Sequence, residues 1–491
     1  LPAWLAIEYA ILKTFSSVNT GASPSINFNQ GLTLIPLEIV SGTTWRPQAM
    51  IPELKALTEQ IASKKLATSM GRVSGISGGE IEISGLEREA RIGDRLVLVR
   101  GPGDELHGEV LKISNSKISM LPDRAPDRVA MNDRVMLRPA PEFAPGDNWI
   151  GRVIDPFGEP LDGRPMLRGE KARDLMAPPP KAAGRRHMGG RLETGLSVFN
   201  TILPIVQGQR IGLFAGSGVG KSTLLAKMAQ FMQADVVVMA LIGERGREVN
   251  HFVEEVLGPE GMKRAVVVAA TSDQSALVRR RSAWAAMTIA EHFRDQGKNV
   301  LFMADSVTRF AEAHREISAA SGEAPSLRGF PPSVTPLITG LCERAGPGAE
   351  GQGDITAVFS VLVAGSDMDE PIADILRGVL DGHIVLNREI AERGRFPAVD
   401  VSRSVSRSLP AAATAEENAI ILEVRKFLGS YEQSEVMIRA GLYSEGNDAV
   451  LDQAVKIWPE LDAFFGKDDP SGIENSFARL QLMLRRASKG R

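Results

Sequence analysis

Between residues 71 and 137, apolar positions come in short runs ("GEIEISG", "DRLVLVR", "GEVLKIS", "SKISML", "DRVMLRP") separated by turn-forming residues. Runs this short and evenly spaced predict β-strands, and a succession of them predicts a small barrel. From residue 208 the pattern changes. Continuous apolar runs ("QRIGLFA", "DVVVMALIG", "RAVVVAAT", "KNVLFMADS", "ITAVFSVLVAG") alternate with helical patterns. Strands apolar on both faces and separated by helices predict a mostly parallel sheet covered on both sides. After Pro410, "AEENAIILEVRKFLGSY", "NDAVLDQAVKIWPELDAFF" and "IENSFARLQLMLRRA" carry apolar stripes at helical spacing. The expected fold is therefore multi-domain α/β. A β-barrel spans 67–140, a parallel-sheet domain 141–408 and a helical domain 409–491. The Gly/Pro-rich stretches 151–165 and 177–186 read as turns and irregular connections.

Residues 1–49 show Ser/Asn/Thr-rich patches without a sustained period, which predicts disorder. They are expected to be disordered or outside the mature chain, with Met50 as a candidate start. In residues 50–66, Leu54, Leu57 and Ile61 fall at helical spacing among charged neighbours. This predicts an amphipathic helix. Two readings stand for it: packing on the chain's own barrel, or docking a partner.

Composition narrows the function class. The chain has 491 residues, 43% hydrophobic and 24% charged, ordinary material for two or three domains. A net charge of -3 gives no basic field for nucleic acid. The stretch 71–137 also lacks Phe, Tyr and Trp, so a base-stacking translocase barrel is disfavoured. One cysteine, Cys342, cannot close an intrachain disulfide, which fits a reducing compartment. The six histidines are scattered, without zinc-type spacing. No apolar run reaches the roughly 18 residues of a membrane span.

The chemistry starts at "FAGSGVGKSTLL", where a strand runs into a helix. Gly216, Ser217, Gly218, Val219 and Gly220 form a loop whose backbone N–H groups can converge on phosphate oxygens. The helix that follows Lys221, Ser222 and Thr223, read over Leu224–Phe231, offers its positive end to the anion. Lys221 would reach the β- and γ-phosphates, and Ser222 would ligate Mg²⁺. Ala215 stands where the strict P-loop pattern has glycine. Asp305 ends the apolar run of "NVLFMADS", a place for a carboxylate that holds Mg²⁺ through water. Glu244 ends "VVVMALIGE", where a carboxylate can orient and polarise the attacking water. Arg245 is a candidate contact to the departing phosphate, and Glu248 a holder of metal waters. As residues alone, the "ERGRE" run reads first as a solvated, self-neutralising face and only second as catalytic.

Together "FAGSGVGKSTLL", "LIGERGREV", "ADSVTRFAEAHRE", "GFPPSV" and "EPIADILRGVLDGHIVLNREIAERGRFPAVDVSRSVSR" resemble the ATP synthase α/β superfamily. Within it, they most resemble the flagellar type III protein-export ATPases. The resemblance runs from about residue 71 to the C-terminus. It implies an N-terminal β-barrel, a RecA-like P-loop domain and a helical C-terminal domain, assembled as a homo-hexamer with ATP and Mg²⁺. It implies that Glu244 is the catalytic carboxylate, Asp305 the strand-end acid and Arg309 a phosphate-facing arginine. Phe396 would stack on adenine, and Arg407 would be an arginine finger supplied to a neighbouring subunit. Arg403 is an extra arginine without an assigned role. Because this chain carries both base and finger, a ring of identical copies can complete every site. A cytoplasmic location, peripheral at the inner-membrane export apparatus, is implied. So are a stator-like regulator at the N-terminal helix, export chaperones with flagellar substrates, and indirect contact with the membrane export gate. A virulence-type secretion ATPase and the catalytic subunit of a rotary ATP synthase share this site. The synthase subunit would need a non-identical companion.

Overall fold

The computed structural model describes residues 68–77, 79–101, 103–138, 142–363 and 368–489. The stretch expected to be disordered (1–49) and the expected helix (50–66) lie outside the described residues.

Six strands form a closed barrel: β1 (Met70–Ser77), β2 (Glu80–Ser84), β3 (Arg95–Gly101), β4 (Asp104–Ile113), β5 (Ile118–Pro122) and β6 (Arg134–Arg138). Spatial order is β1-β2-β5-β4-β3-β6, and β6 pairs back onto β1 antiparallel. Closure removes exposed sheet edges. Alternation does the filling: in β2, Ile81 and Ile83 are buried while their neighbours face outward.

The central sheet has eight strands in the order β14-β13-β8-β12-β11-β9-β10-β7. They are β7 (Arg152–Ile154), β8 (Arg210–Ala215), β9 (Val236–Glu244), β10 (Ala265–Thr271), β11 (Val300–Asp305), β12 (Ile355–Leu362), β13 (Gly382–Leu386) and β14 (Val399–Ser406). All neighbouring pairs are parallel except β13 with β14. The interior strands are buried over nearly their whole length, which is why they read as unbroken apolar runs. The longer helices are α1 (Lys221–Phe231), α2 (Ala276–Asp295), α3 (Val307–Ala320), α4 (Val334–Arg344), α5 (Pro371–Val379), α6 (Ala415–Arg439), α7 (Ala449–Phe465) and α8 (Ile473–Lys489). One core lies between the sheet and α2–α5; the other holds α1 and the C-terminal helices α6–α8.

One sequence expectation is corrected here. The stretch 151–165 is not turns throughout: Arg152–Ile154 forms β7 and pairs in parallel with β10. Three residues are too short to show a period. Arg152 is buried, and its guanidinium donates to Asp162 and to the Arg164 and Pro165 carbonyls.

The barrel is fastened to the sheet domain. Leu111 and Leu121 of the barrel pack on Ala276, Leu277, Ala313 and Ile317. The Phe157 ring lies between the guanidinium groups of Arg95 (4.9 Å) and Arg281 (4.7 Å). The helical domain opens with a capping box in which Thr414 and Glu417 satisfy each other's N–H groups at the start of α6.

Candidate active site

Parallel strands put their carboxyl ends along one side of the sheet. Ala215, Asp305 and Glu244 end β8, β11 and β9 respectively, so the three expected chemical elements meet there. Only β12 separates β8 from β11, and β9 lies beyond β11. After β8 the chain crosses to β9, three strands away. The chain turns back only after β10, when β11 and β12 fill the gap beside β8; ligands in such sheets bind outside the carboxyl ends of the strands, where the strand order changes direction.

The loop between β8 and α1 has the backbone its glycines allow. Gly218 (φ 77°) and Gly220 (φ 85°) occupy the left-handed region. Val219 is buried and anchors the loop. Ser217 and Gly218 are exposed, as are Ser222 and Thr223 in the first turn of α1, while Gly216 is half-buried. A Cβ on Gly220 would come within 3.2 Å of the Phe396 ring, so this aromatic side chain covers the start of α1. Phe396 is 47% exposed, a flat face open to a ligand.

The Lys221 ammonium donates to Asp305 Oδ1 and lies 4.0 Å from Glu244 Oε1. Asp305 is almost fully buried, and Ser360 Oγ donates to the same Oδ1 at 2.7 Å. The Glu244 carboxyl is pushed up to about 7. Burial is the main cause, followed by the negative charge of Asp305; Lys221 opposes both, and the adjacent Glu248 adds to the rise. A carboxyl with a pKa near neutrality is matched to accept a proton from water.

The remaining expected residues are less uniformly gathered. Arg245 is exposed and donates to Glu248 at 3.4 Å. The Arg309 stem packs beside Gly243, and its guanidinium donates to Glu312 at 2.9 Å. Arg407 stands away from the chain's own loop. It follows directly on β14, the sheet edge; Ser406, the last residue of β14, pairs with Gly382 at the start of β13, while Ala215 pairs with Leu386 at its end. Four residues of strand at about 3.3 Å each separate those ends by about 13 Å. The Arg407 guanidinium donates to the carbonyls of Arg377 and Leu380, each at 3.1 Å, at the C-terminal end of α5, and the residue is exposed. Arg403 lies on the same edge strand, also exposed, with its carbonyl against His383.

Two residues near the loop escaped the sequence reading. Arg388 donates to the Ser217 carbonyl at 3.2 Å. Ser360 is the other; its signal is a hydroxyl inside the apolar run "ITAVFSVLV".

Oxygen donors for a hard cation are the Asp305 and Glu244 carboxylates, which flank Lys221, and the exposed Ser222 hydroxyl on the first turn of α1; Glu248 adjoins Glu244. Among the described residues, no group of three or more His, Cys, Asp or Glu makes a metal cage. A hydroxyl and one or two carboxylates are the oxygens a protein would offer Mg²⁺, which takes its other ligands from phosphates and water. No helix among the described residues is long and apolar enough to cross a membrane.

Residues 195–406 match the model of the ATP synthase alpha/beta family nucleotide-binding domain, and residues 413–482 that of the T3SS EscN ATPase C-terminal domain. A flagellum-specific ATP synthase of Caulobacter vibrioides is 43% identical over 426 residues, covering 85% of this chain and 96% of the relative. That of Salmonella typhimurium is 40% identical, covering 84% and 93%. Among solved structures, the assembled ATPase EscN of enteropathogenic E. coli type III secretion superposes with a TM-score of 0.78 at 38% identity, covering 84% of this chain and all of that one. EscN in complex with its central stalk EscO superposes with a TM-score of 0.77. A P-loop crevice with a near-neutral carboxyl, carried between a β-barrel and a helical domain, agrees with these matches. The chain belongs to the ATP synthase alpha/beta family, as a flagellum-specific ATPase of type III export.

Proposed function

We propose that the chain hydrolyses Mg-ATP at sites completed between identical subunits of a hexameric ring, and that this drives flagellar protein export. Lys221 and the N–H groups of residues 216–223 hold the β- and γ-phosphates. Phe396 carries the adenine. Ser222 would ligate Mg²⁺, and Asp305 and Glu248 would hold it through water; the bound ion would neutralise phosphate charge. Glu244 takes the proton of the attacking water. Arg245 and Arg309 swing from their glutamate partners toward the phosphate. Arg407 of one subunit serves the site of the next.

The position of Arg407 carries this reading. An exposed arginine directly after an edge strand, at the far end of β13 from its own loop, is available to a neighbour and remote from its own site. The EscN ATPase, to which the chain is similar, has been seen assembled and with a central stalk. By the same likeness we assign a ring with a stalk-type partner, a regulator at residues 50–66, and export chaperones with their substrates. The location is cytoplasmic, peripheral at the export apparatus. Domain limits at 140/141 and 408/409 fit a barrel ending at Arg138 and α6 starting at Ala415.

Complementation tests it. Arg407→Ala retains its loop and base; Glu244→Gln retains its finger. Each alone hydrolyses poorly, the finger loss costing about 10³–10⁵-fold. Rings mixed from both, verified by mass spectrometry, regain activity because one type of interface is wild type. Wild-type hydrolysis by Arg407→Ala alone refutes the assignment.

A further inference from the structure

We propose that Ser360 is a positioning residue that holds Asp305 in register for the metal side of the active site. This rests on the reading of Asp305 as the metal-side acid. Ser360 lies on β12, the strand between β8, which feeds the loop, and β11, which ends in Asp305. Ladder pairs fix it from both sides: Ser360 with Leu213, and the adjacent Phe359 with Ala304. Alternation along β12 sends Ile355, Ala357, Phe359 and Val361 into the core on one side of the sheet. Val358, two residues before Ser360, packs on the other side with Leu224 and Leu225 of α1. Ser360 thus puts a hydroxyl beneath the nucleotide helix, at a place where the strand's pattern calls for an apolar side chain.

The hydroxyl is fully buried, and it donates to Asp305 Oδ1 at 2.7 Å. Lys221 donates to that same oxygen. Among the described residues Oδ2 receives no hydrogen bond, so both donors fix one oxygen and leave the other for a ligand. The two donors differ in kind. Lys221 is on a long, flexible stem and is the cation phosphate would claim. Ser360 has a short side chain locked in a central strand, so its hydrogen bond persists when the lysine turns to phosphate. A carboxylate that loses its last fixed donor rotates, and its metal-facing oxygen loses its place. Partners of this outer kind typically contribute about 10–100-fold to metal affinity or activity.

The test uses the full chain as Ser360→Ala, Ser360→Thr and Asp305→Asn. Binding of a fluorescent ADP analogue is titrated with Mg²⁺, and the Mg²⁺ midpoint is read without turnover; steady-state hydrolysis is measured in parallel. Ser360→Ala is expected to raise the midpoint about 10–100-fold while metal-free analogue binding stays within about threefold. Ser360→Thr, which keeps the hydroxyl, restores the midpoint. A wild-type midpoint in Ser360→Ala alongside a raised one in Asp305→Asn overturns the proposal and leaves the role of Asp305 standing. An unchanged midpoint in Asp305→Asn overturns the metal-side reading of Asp305, and this proposal with it. A Thr variant as impaired as Ala shows that the hydroxyl is not the cause, which also overturns it.

Discussion

Glu244→Gln should make the protein a poorer enzyme and, at alkaline pH, a more stable one. The carboxyl is raised from an ordinary value of 4.5 to about 7, chiefly by burial and by Asp305. The folded state therefore holds the proton more tightly than the unfolded chain does. Below pH 4.5 both states are protonated, and the charge costs nothing. Between 4.5 and about 7 the unfolded chain ionises first, and stability falls as pH rises; above 7 the full cost is present. At about 1.36 kcal/mol per pH unit, the rise from 4.5 to 7 sets a ceiling of about 3 kcal/mol. Glutamine keeps the shape and carries no charge to desolvate. The attraction of Lys221, 4.0 Å away, is already contained in that net rise, so a gain of up to about 3 kcal/mol is expected at pH 8. Denaturant midpoints for both proteins from pH 4.5 to 8 measure it: the curves should meet at the acid end and diverge upward for the variant. Hydrolysis should fall about 10²–10⁴-fold at pH 8, where Glu244 is ionised, and the gap should narrow below pH 7 as the wild-type base is protonated. A variant less stable than wild type at pH 8, or a difference independent of pH, refutes the reasoning that Glu244 is strained by burial beside Asp305.

Two further outcomes follow from the same geometry. Lys221→Ala removes the cation between two carboxylates as well as the phosphate contact; nucleotide affinity, read by equilibrium binding, should drop far more than threefold, and the acid limb of any residual activity should shift to higher pH because Lys221 holds Glu244 down. Arg344→Met leaves the Glu291 carboxylate buried without the guanidinium that now meets both its oxygens at 2.9 and 2.6 Å; about 3–5 kcal/mol of stability should be lost in denaturant titration.

Much of the fold and site was legible from residue order. A strand that must be buried on both faces has to be apolar throughout, so β8 to β12 announced themselves as continuous runs. A phosphate loop needs glycine where φ is positive, so Gly218 and Gly220 marked it. Asp305 and Glu244 could be placed at strand ends because the apolar runs stop at them. Tertiary structure decided what depends on neighbours distant in sequence. β7 exists only because β10 offers it a ladder, and no three-residue segment carries that information. That Ser360 touches Asp305 and Arg388 touches Ser217 follows from strand order and loop packing, which join residues 55 and 171 apart. The near-neutral carboxyl of Glu244 is likewise a product of assembly. Sequence supplies the acid, but the water-poor crevice and the second charge that shift it come from three strands converging on one side of the sheet.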